Sequence, residues 1–195
     1  MNERLQAVQA VVIGASAGGV EALLSLLPPL SAGFPVPLVV VLHLPDNRDS
    51  LLPELFGRRM GLRVKEAQDK ETLQPSTLYF AGAGYHLCIE SDLRFSYSHD
   101  APLHYSRPAI DYLFESAADA YGAALLGILL TGANEDGARG LNTIRQRGGI
   151  TVVQDPQEAH VATMPEAALA LQQPDHILPL RGILALLAEL DSRPC

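Results

Sequence analysis

Short apolar runs rich in β-branched residues alternate with segments of helical period along most of this chain, and few folds accommodate that alternation. Val8 to Gly14 (VQAVVIG) reads as a buried strand, and Val20 to Leu27 as a helix halted by Pro28-Pro29. Pro37 to Leu44 reads as a second strand with its β-branched centre at Val39 to Val41. Ser50 to Met60 reads as a second helix, with Pro53 in its first turn. A strand–helix–strand unit crosses over right-handed, so its two strands run parallel. The pattern returns further on. A helix is predicted over Ala109 to Tyr121, a strand over Ala124 to Leu130, a helix over Asp136 to Arg147 and a strand over Ile150 to Val153. Helices follow near Pro165 to Leu171 and Arg181 to Leu190. Between the two halves, Leu78 to Ala81, Tyr85 to Ile89 and Leu93 to Tyr97 alternate with period two between Gly and Ser/Asp breaks, the pattern of an antiparallel insert. The predicted fold is a doubly wound α/β domain: a mostly parallel, Rossmann-like sheet sandwiched by helices, with a short antiparallel hairpin excursion.

Length and composition agree. At 195 residues one domain over 1–195 is the default, large enough for a core and a cleft. Apolar residues make up 48% and charged residues 18%, which excludes disorder. Fourteen Lys and Arg against 22 Asp and Glu give a net charge of −8, so no nucleic-acid partner and no polybasic membrane tether is expected. The apolar stretches are strand-length, too short for membrane insertion, and the N-terminus makes a poor signal peptide. Cys88 and Cys195 form neither a disulfide framework nor a metal motif. A cytoplasmic protein is the simplest reading.

The sharpest local signal is Gly14-Ala15-Ser16-Ala17-Gly18-Gly19, which lies between a predicted strand and a predicted helix and satisfies G-x-S-x-G. A serine in so sharp a turn needs small neighbours. The turn lifts its hydroxyl above the sheet, where the next helix aims free N–H groups at developing negative charge. The same glycines also suit an anion-binding loop or a plain turn, although neither usual phosphate motif fits. A serine hydroxyl needs a base. His43, at the carboxyl end of the second strand, shares the rim of a parallel sheet with Ser16. His86 and His176 read as half-buried structural residues, and His99, His104 and His160 as solvent-exposed. An acid must orient the imidazole. Glu135 and Asp136, after the strand ending at Leu130, both suit, and spacing does not choose between them. The competing view is that Asn134 or Asp136 simply caps a helix. The order Ser…His…Asp is not that of α/β-hydrolases.

Taken in order, VVIGASAGGVEAL, VVLHLP, LYFAGAGYHL, SRPAIDYLFESAA, LTGANEDGARGL, GGITVVQDP, ATMPEAAL and HILPL resemble the catalytic domain of the chemotaxis protein-glutamate methylesterases, CheB, from about Val11 to Leu180. The resemblance implies that Ser16 is the nucleophile, His43 the general base and Asp136 the orienting acid. It implies backbone N–H groups near His43 and Ala133 at the oxyanion, with Ala17 and Gly132 beside them in the pocket. The implied reaction is hydrolysis of γ-glutamyl methyl esters on the cytoplasmic helices of methyl-accepting chemotaxis receptors, with methanol leaving. Deamidation of glutamines by the same acyl chemistry is implied as well, with no metal and no organic cofactor.

Four segments depart from the family pattern. Ala133-Asn134 stands for Met-Gly, AGAG at Ala81 to Gly84 for APGG, Ser106 for the His of His-Arg-Pro, and Ala17 for Thr. Family members commonly carry an N-terminal receiver domain, whereas the first strand here begins at Val8. The expectation is therefore a catalytic domain alone, regulated, if at all, by a separate response-regulator or methyltransferase partner. Two other functions stay open on sequence: a non-catalytic anion- or nucleotide-binding module, and a degenerate methylesterase kept as a scaffold. Because receptor methylation segments are acidic, Arg48, Arg58, Arg59 and Arg107 are candidates for a docking face.

Overall fold

A computed structural model describes residues 3–43 and 51–192. Seven parallel strands form the main sheet in the order β3-β4-β2-β1-β7-β8-β9. They are β1 (Ala10–Ala15), β2 (Leu38–Leu42), β3 (Arg63–Glu66), β4 (Thr77–Phe80), β7 (Leu125–Leu129), β8 (Ile150–Gln154) and β9 (His176–Leu178). Every residue of β1, β2, β4, β7 and β8 is buried, as expected for a parallel sheet covered on both faces.

Period-two alternation sends successive side chains to opposite layers. Val11, Ile13, Leu38 and Val40 join a core made with α1 (Glu3–Gln6), α2 (Gly19–Leu26), α3 (Leu52–Gly57) and α7 (Leu180–Asp191). Val12, Val39 and Val41 join a second core with α4 (Ile110–Tyr121), α5 (Ala138–Gln146) and α6 (Thr163–Leu171). The three-layer, doubly wound expectation holds.

The insert is smaller than the sequence predicts. Of the three predicted strands, β5 (His86–Ile89) and β6 (Phe95–Ser98) pair antiparallel, as a separate two-stranded sheet against α4. The segment at Leu78 to Ala81 belongs instead to β4, a parallel member of the main sheet, because its apolar side chains complete both cores beside β2. Three elements had no sequence signal: α1, the polar edge strand β3, and the three-residue β9. Leu44 and Ser50, the expected ends of the second strand and the second helix, lie outside the described residues. Pro53 does stand in the first turn of α3.

The chain runs outward from β1 through β2, then crosses back to β7 on the other side of β1. The switch point therefore lies beside the carboxyl end of β1, where such sheets open a crevice.

Two helices close this crevice from one side, and a glycine sets their separation. A Cβ on Gly140 of α5 would stand 2.5 Å from Phe114 Cβ and 3.1 Å from Asp111 Cα of α4. On helix propensity alone Gly140→Ala should stabilise by about 1 kcal/mol. The clash outweighs that, and a net loss of about 1–3 kcal/mol in urea denaturation is expected. A midpoint that rises would show that α4 and α5 can separate freely.

Candidate active site

β1 ends at Ala15, and the chain turns at once. Gly19 N–H donates to Ser16 O at 2.8 Å, closing a four-residue turn in which Gly18 takes φ +79°. That left-handed backbone favours glycine, and a Cβ on Gly18 would also sit 2.5 Å from His160 Cβ. Thr131, one residue beyond the strand-length run that contains β7, pins the turn from the side. Its hydroxyl donates to Ala17 O at 2.8 Å and accepts from Val161 N–H at 2.9 Å. Since a trans peptide points its C=O and N–H in opposite directions, holding Ala17 O also fixes the direction of Gly18 N–H. Ser16 itself is half-buried, and among the described residues its hydroxyl makes no hydrogen bond.

His43 follows β2 directly, and its N–H donates to Ala15 O at 3.1 Å. The imidazole is 10% exposed, and its Nε2 lies 2.8 Å from Asp136 Oδ2. Asp136 is fully buried. It accepts the backbone N–H groups of Ile110 at 2.7 Å and Asp111 at 3.0 Å, which are the first two residues of α4. The carboxylate thus caps a helix whose own N-cap residue, Ala109, has no side chain able to do so. It also sits at the positive end of that helix dipole. An ionised carboxylate only accepts, so Nε2 carries the imidazole proton and Nδ1 presents its lone pair. The Ser106 hydroxyl donates to that lone pair at 3.3 Å.

The site therefore brings Ser16, His43 and Asp136 to one rim, and Asp136 rather than Glu135 takes the imidazole. Glu135 points away to His104, its Oε1 3.4 Å from His104 Nδ1. Of the expected oxyanion groups, the N–H groups of Ala17 and Ala133 are free of protein acceptors among the described residues, as is that of Gly18. The N–H groups of His43 and Gly132 are not free. Gly132 donates to Val161 O at 3.1 Å and packs so closely on Met164 that a Cβ would lie 2.5 Å from its methyl carbon. Gly132 accordingly shapes the wall and does not donate.

His104 corrects another expectation. It is 26% exposed rather than solvated, beside Asp111. His86 is fully buried, accepting Ala109 N–H at Nδ1, 3.1 Å away, and stacking on Tyr112. Burial, opposed by the Gly140 N–H and reinforced by the charge of Asp136, pushes the Asp111 carboxyl up to about 6. Arg58 pairs with Glu54 on its own helix, and Arg107 donates to the carbonyls of His99 and Asp100. Arg48 and Cys195 lie outside the described residues.

Two residues of the site had no individual sequence signal. Thr131 lay unremarked in the turn after a strand, and Ser106 counted only as a departure from a family pattern.

The model of the family described as CheB methylesterase matches residues 11–187. A Leptospira interrogans protein, provisionally named for protein-glutamate methylesterase and protein-glutamine glutaminase activity, is 42% identical over 94% of this chain and 95% of its own length. The Methanospirillum hungatei protein-glutamate methylesterase/protein-glutamine glutaminase 2 is also 42% identical, over 96% of this chain but only 54% of its own. The crystal structure of the Thermotoga maritima CheB methylesterase catalytic domain superposes with a TM-score of 0.89 at 31% identity. The match covers 94% of this chain and 98% of that one.

Proposed function

Because this chain belongs to the CheB methylesterase family, we propose that it is a serine hydrolase that demethylates γ-glutamyl methyl esters on chemoreceptors. Residues 1–195 act as one catalytic domain. The observation that carries the mechanism is the 2.8 Å contact between His43 Nε2 and the buried Asp136, which leaves Nδ1 as the base on the rim where Ser16 stands.

In the first step Nδ1 takes the Ser16 proton while Oγ attacks the ester carbonyl, and the imidazolium formed is stabilised by Asp136. The carbonyl oxygen becomes an oxyanion within reach of the free N–H groups of Ala17, Gly18 and Ala133. His43 then returns its proton to the departing methoxide, and methanol leaves. Water, deprotonated by the same nitrogen, hydrolyses the acyl-enzyme and restores both the glutamate and Ser16. A glutamine side chain passes through the same acyl-enzyme with ammonia as leaving group, in keeping with the double name of the Methanospirillum relative.

The substrate helices place the enzyme in the cytoplasm, and among the described residues no helix is long and apolar enough to cross a membrane. The test is incubation of the chain with a methyl-labelled chemoreceptor fragment. Labelled methanol should appear in step with loss of label from the receptor. A receptor that keeps its label would overturn the proposal.

A further inference from the structure

Beside the imidazole and its acid lies a second group of ligand-type side chains to which the proposed reaction gives no task. Asp111 Oδ2 is buried, its side chain 1% exposed, and it accepts no hydrogen bond among the described residues. An unsatisfied buried carboxylate oxygen is costly, and something has to answer it. Its charged neighbours do so poorly. Arg139 Nε is 3.8 Å away and donates instead to Glu115 Oε1 at 2.6 Å, while His104 Nε2 is also 3.8 Å away.

Asp111 borders a cavity of about 330 Å³ whose walls also include His104, Glu135, Ala138, Arg139 and Leu171. One ligand atom each from His104, Asp111 and Asp136 lie within 4.8 Å of one another. A zinc ion with ligands at about 2.0–2.2 Å holds neighbouring ligand atoms roughly 3–3.5 Å apart, so side-chain shifts of about an ångström close the set. Glu135 Oε1 lies 3.4 Å from His104 Nδ1, and a carboxylate on that side favours the tautomer that leaves Nε2 as a lone pair facing Asp111. That is the outer carboxylate commonly found behind a metal-binding histidine.

We propose that His104, Asp111 and Asp136 bind one zinc-class divalent cation, which draws on the carboxylate that orients His43 and so inhibits the hydrolase. Imidazole with carboxylate oxygens suits zinc and excludes the all-oxygen preference of magnesium and calcium. The ion is a brake and takes no part in ester hydrolysis. Withdrawing electron density from Asp136 weakens its hold on the imidazolium, which the proposed first step requires.

Binding is read without turnover, by calorimetric titration of the whole chain with zinc chloride and by the visible absorption of bound cobalt(II). Wild type should take up one ion per chain. His104→Asn is the informative variant, because asparagine tolerates the left-handed backbone at this position, φ 49°, yet offers only a weak amide ligand. Its affinity should fall by ~10–100-fold or more, since even indirect partners of a metal are worth that much. Asp111→Asn should behave likewise. Inhibition rests on the methylesterase reading. There, saturating zinc should slow wild-type methanol release by ~10-fold or more and leave His104→Asn, compared with its own zinc-free rate, unaffected. Equal zinc affinity in wild type and His104→Asn would overturn the site. Zinc lost from the variant but harmless to wild-type turnover would overturn the shared carboxylate. A chain that binds zinc but never releases methanol would count against the methylesterase reading alone.

Discussion

Ser16→Ala is expected to lower methanol release by on the order of 10⁴–10⁶ in kcat while leaving the chain as stable as before. The two halves of this outcome have separate causes. The hydroxyl is the only atom in the proposed mechanism that forms the acyl bond. Yet it makes no hydrogen bond among the described residues, so its removal orphans nothing. A change within about 0.5 kcal/mol in urea denaturation is the expectation for such a site. A variant that still released methanol within tenfold of wild type would remove Ser16 from the reaction. A variant that lost activity together with several kcal/mol of stability would show the turn, rather than the chemistry, to be at fault.

Asp136→Asn should fail on both measures. An amide cannot favour the tautomer in which His43 Nε2 carries the proton, and its neutral oxygen does less for the imidazolium, so kcat should fall on the order of 10⁴. In addition, three N–H donors converge on the two carboxylate oxygens: His43 Nε2 and the backbones of Ile110 and Asp111. Asparagine turns one acceptor into a donor, so at least one buried N–H faces another. Leaving one buried donor unsatisfied costs about 1–3 kcal/mol. Denaturation midpoints would report that loss, and the start of α4 should lose amide-exchange protection with it. Retained stability alongside lost activity would mean that another acceptor caps α4.

The contrast between these two residues shows what the chain makes readable. Ser16 and His43 could be placed on one rim because parallel strands end together, a rule that needs only strand direction. The buried strands β1, β2, β7 and β8 declared themselves through runs such as VVIG and VVVL. β3 (RVKE) and β9 (HIL) did not, since an edge strand can be half polar and three residues carry no period. β4 was misplaced for a related reason: a four-residue run between Pro75-Ser76 and the glycines that follow has the same signature in a hairpin as in a parallel core. Glu135 and Asp136 are neighbours on a loop, and spacing cannot tell which faces inward. The fold decides, by setting the start of α4 against one of them. Thr131 and Ser106 act over separations of 114 and 63 residues, beyond the reach of any local pattern.

Ser106 sits at the end of a tight turn whose two middle residues, His104 and Tyr105, are both left-handed at φ 49° and 62°, an arrangement that costs non-glycine residues about 1–2 kcal/mol apiece. That loop carries the Ser106 hydroxyl to 3.3 Å from His43 Nδ1, the nitrogen that the proposed mechanism uses as base. On the proposed mechanism an arriving ester therefore has to displace Ser106 before Ser16 can give up its proton. How quickly such a molecule wakes is then a property of the loop's springiness, open to adjustment by sequence changes that never touch a reacting atom.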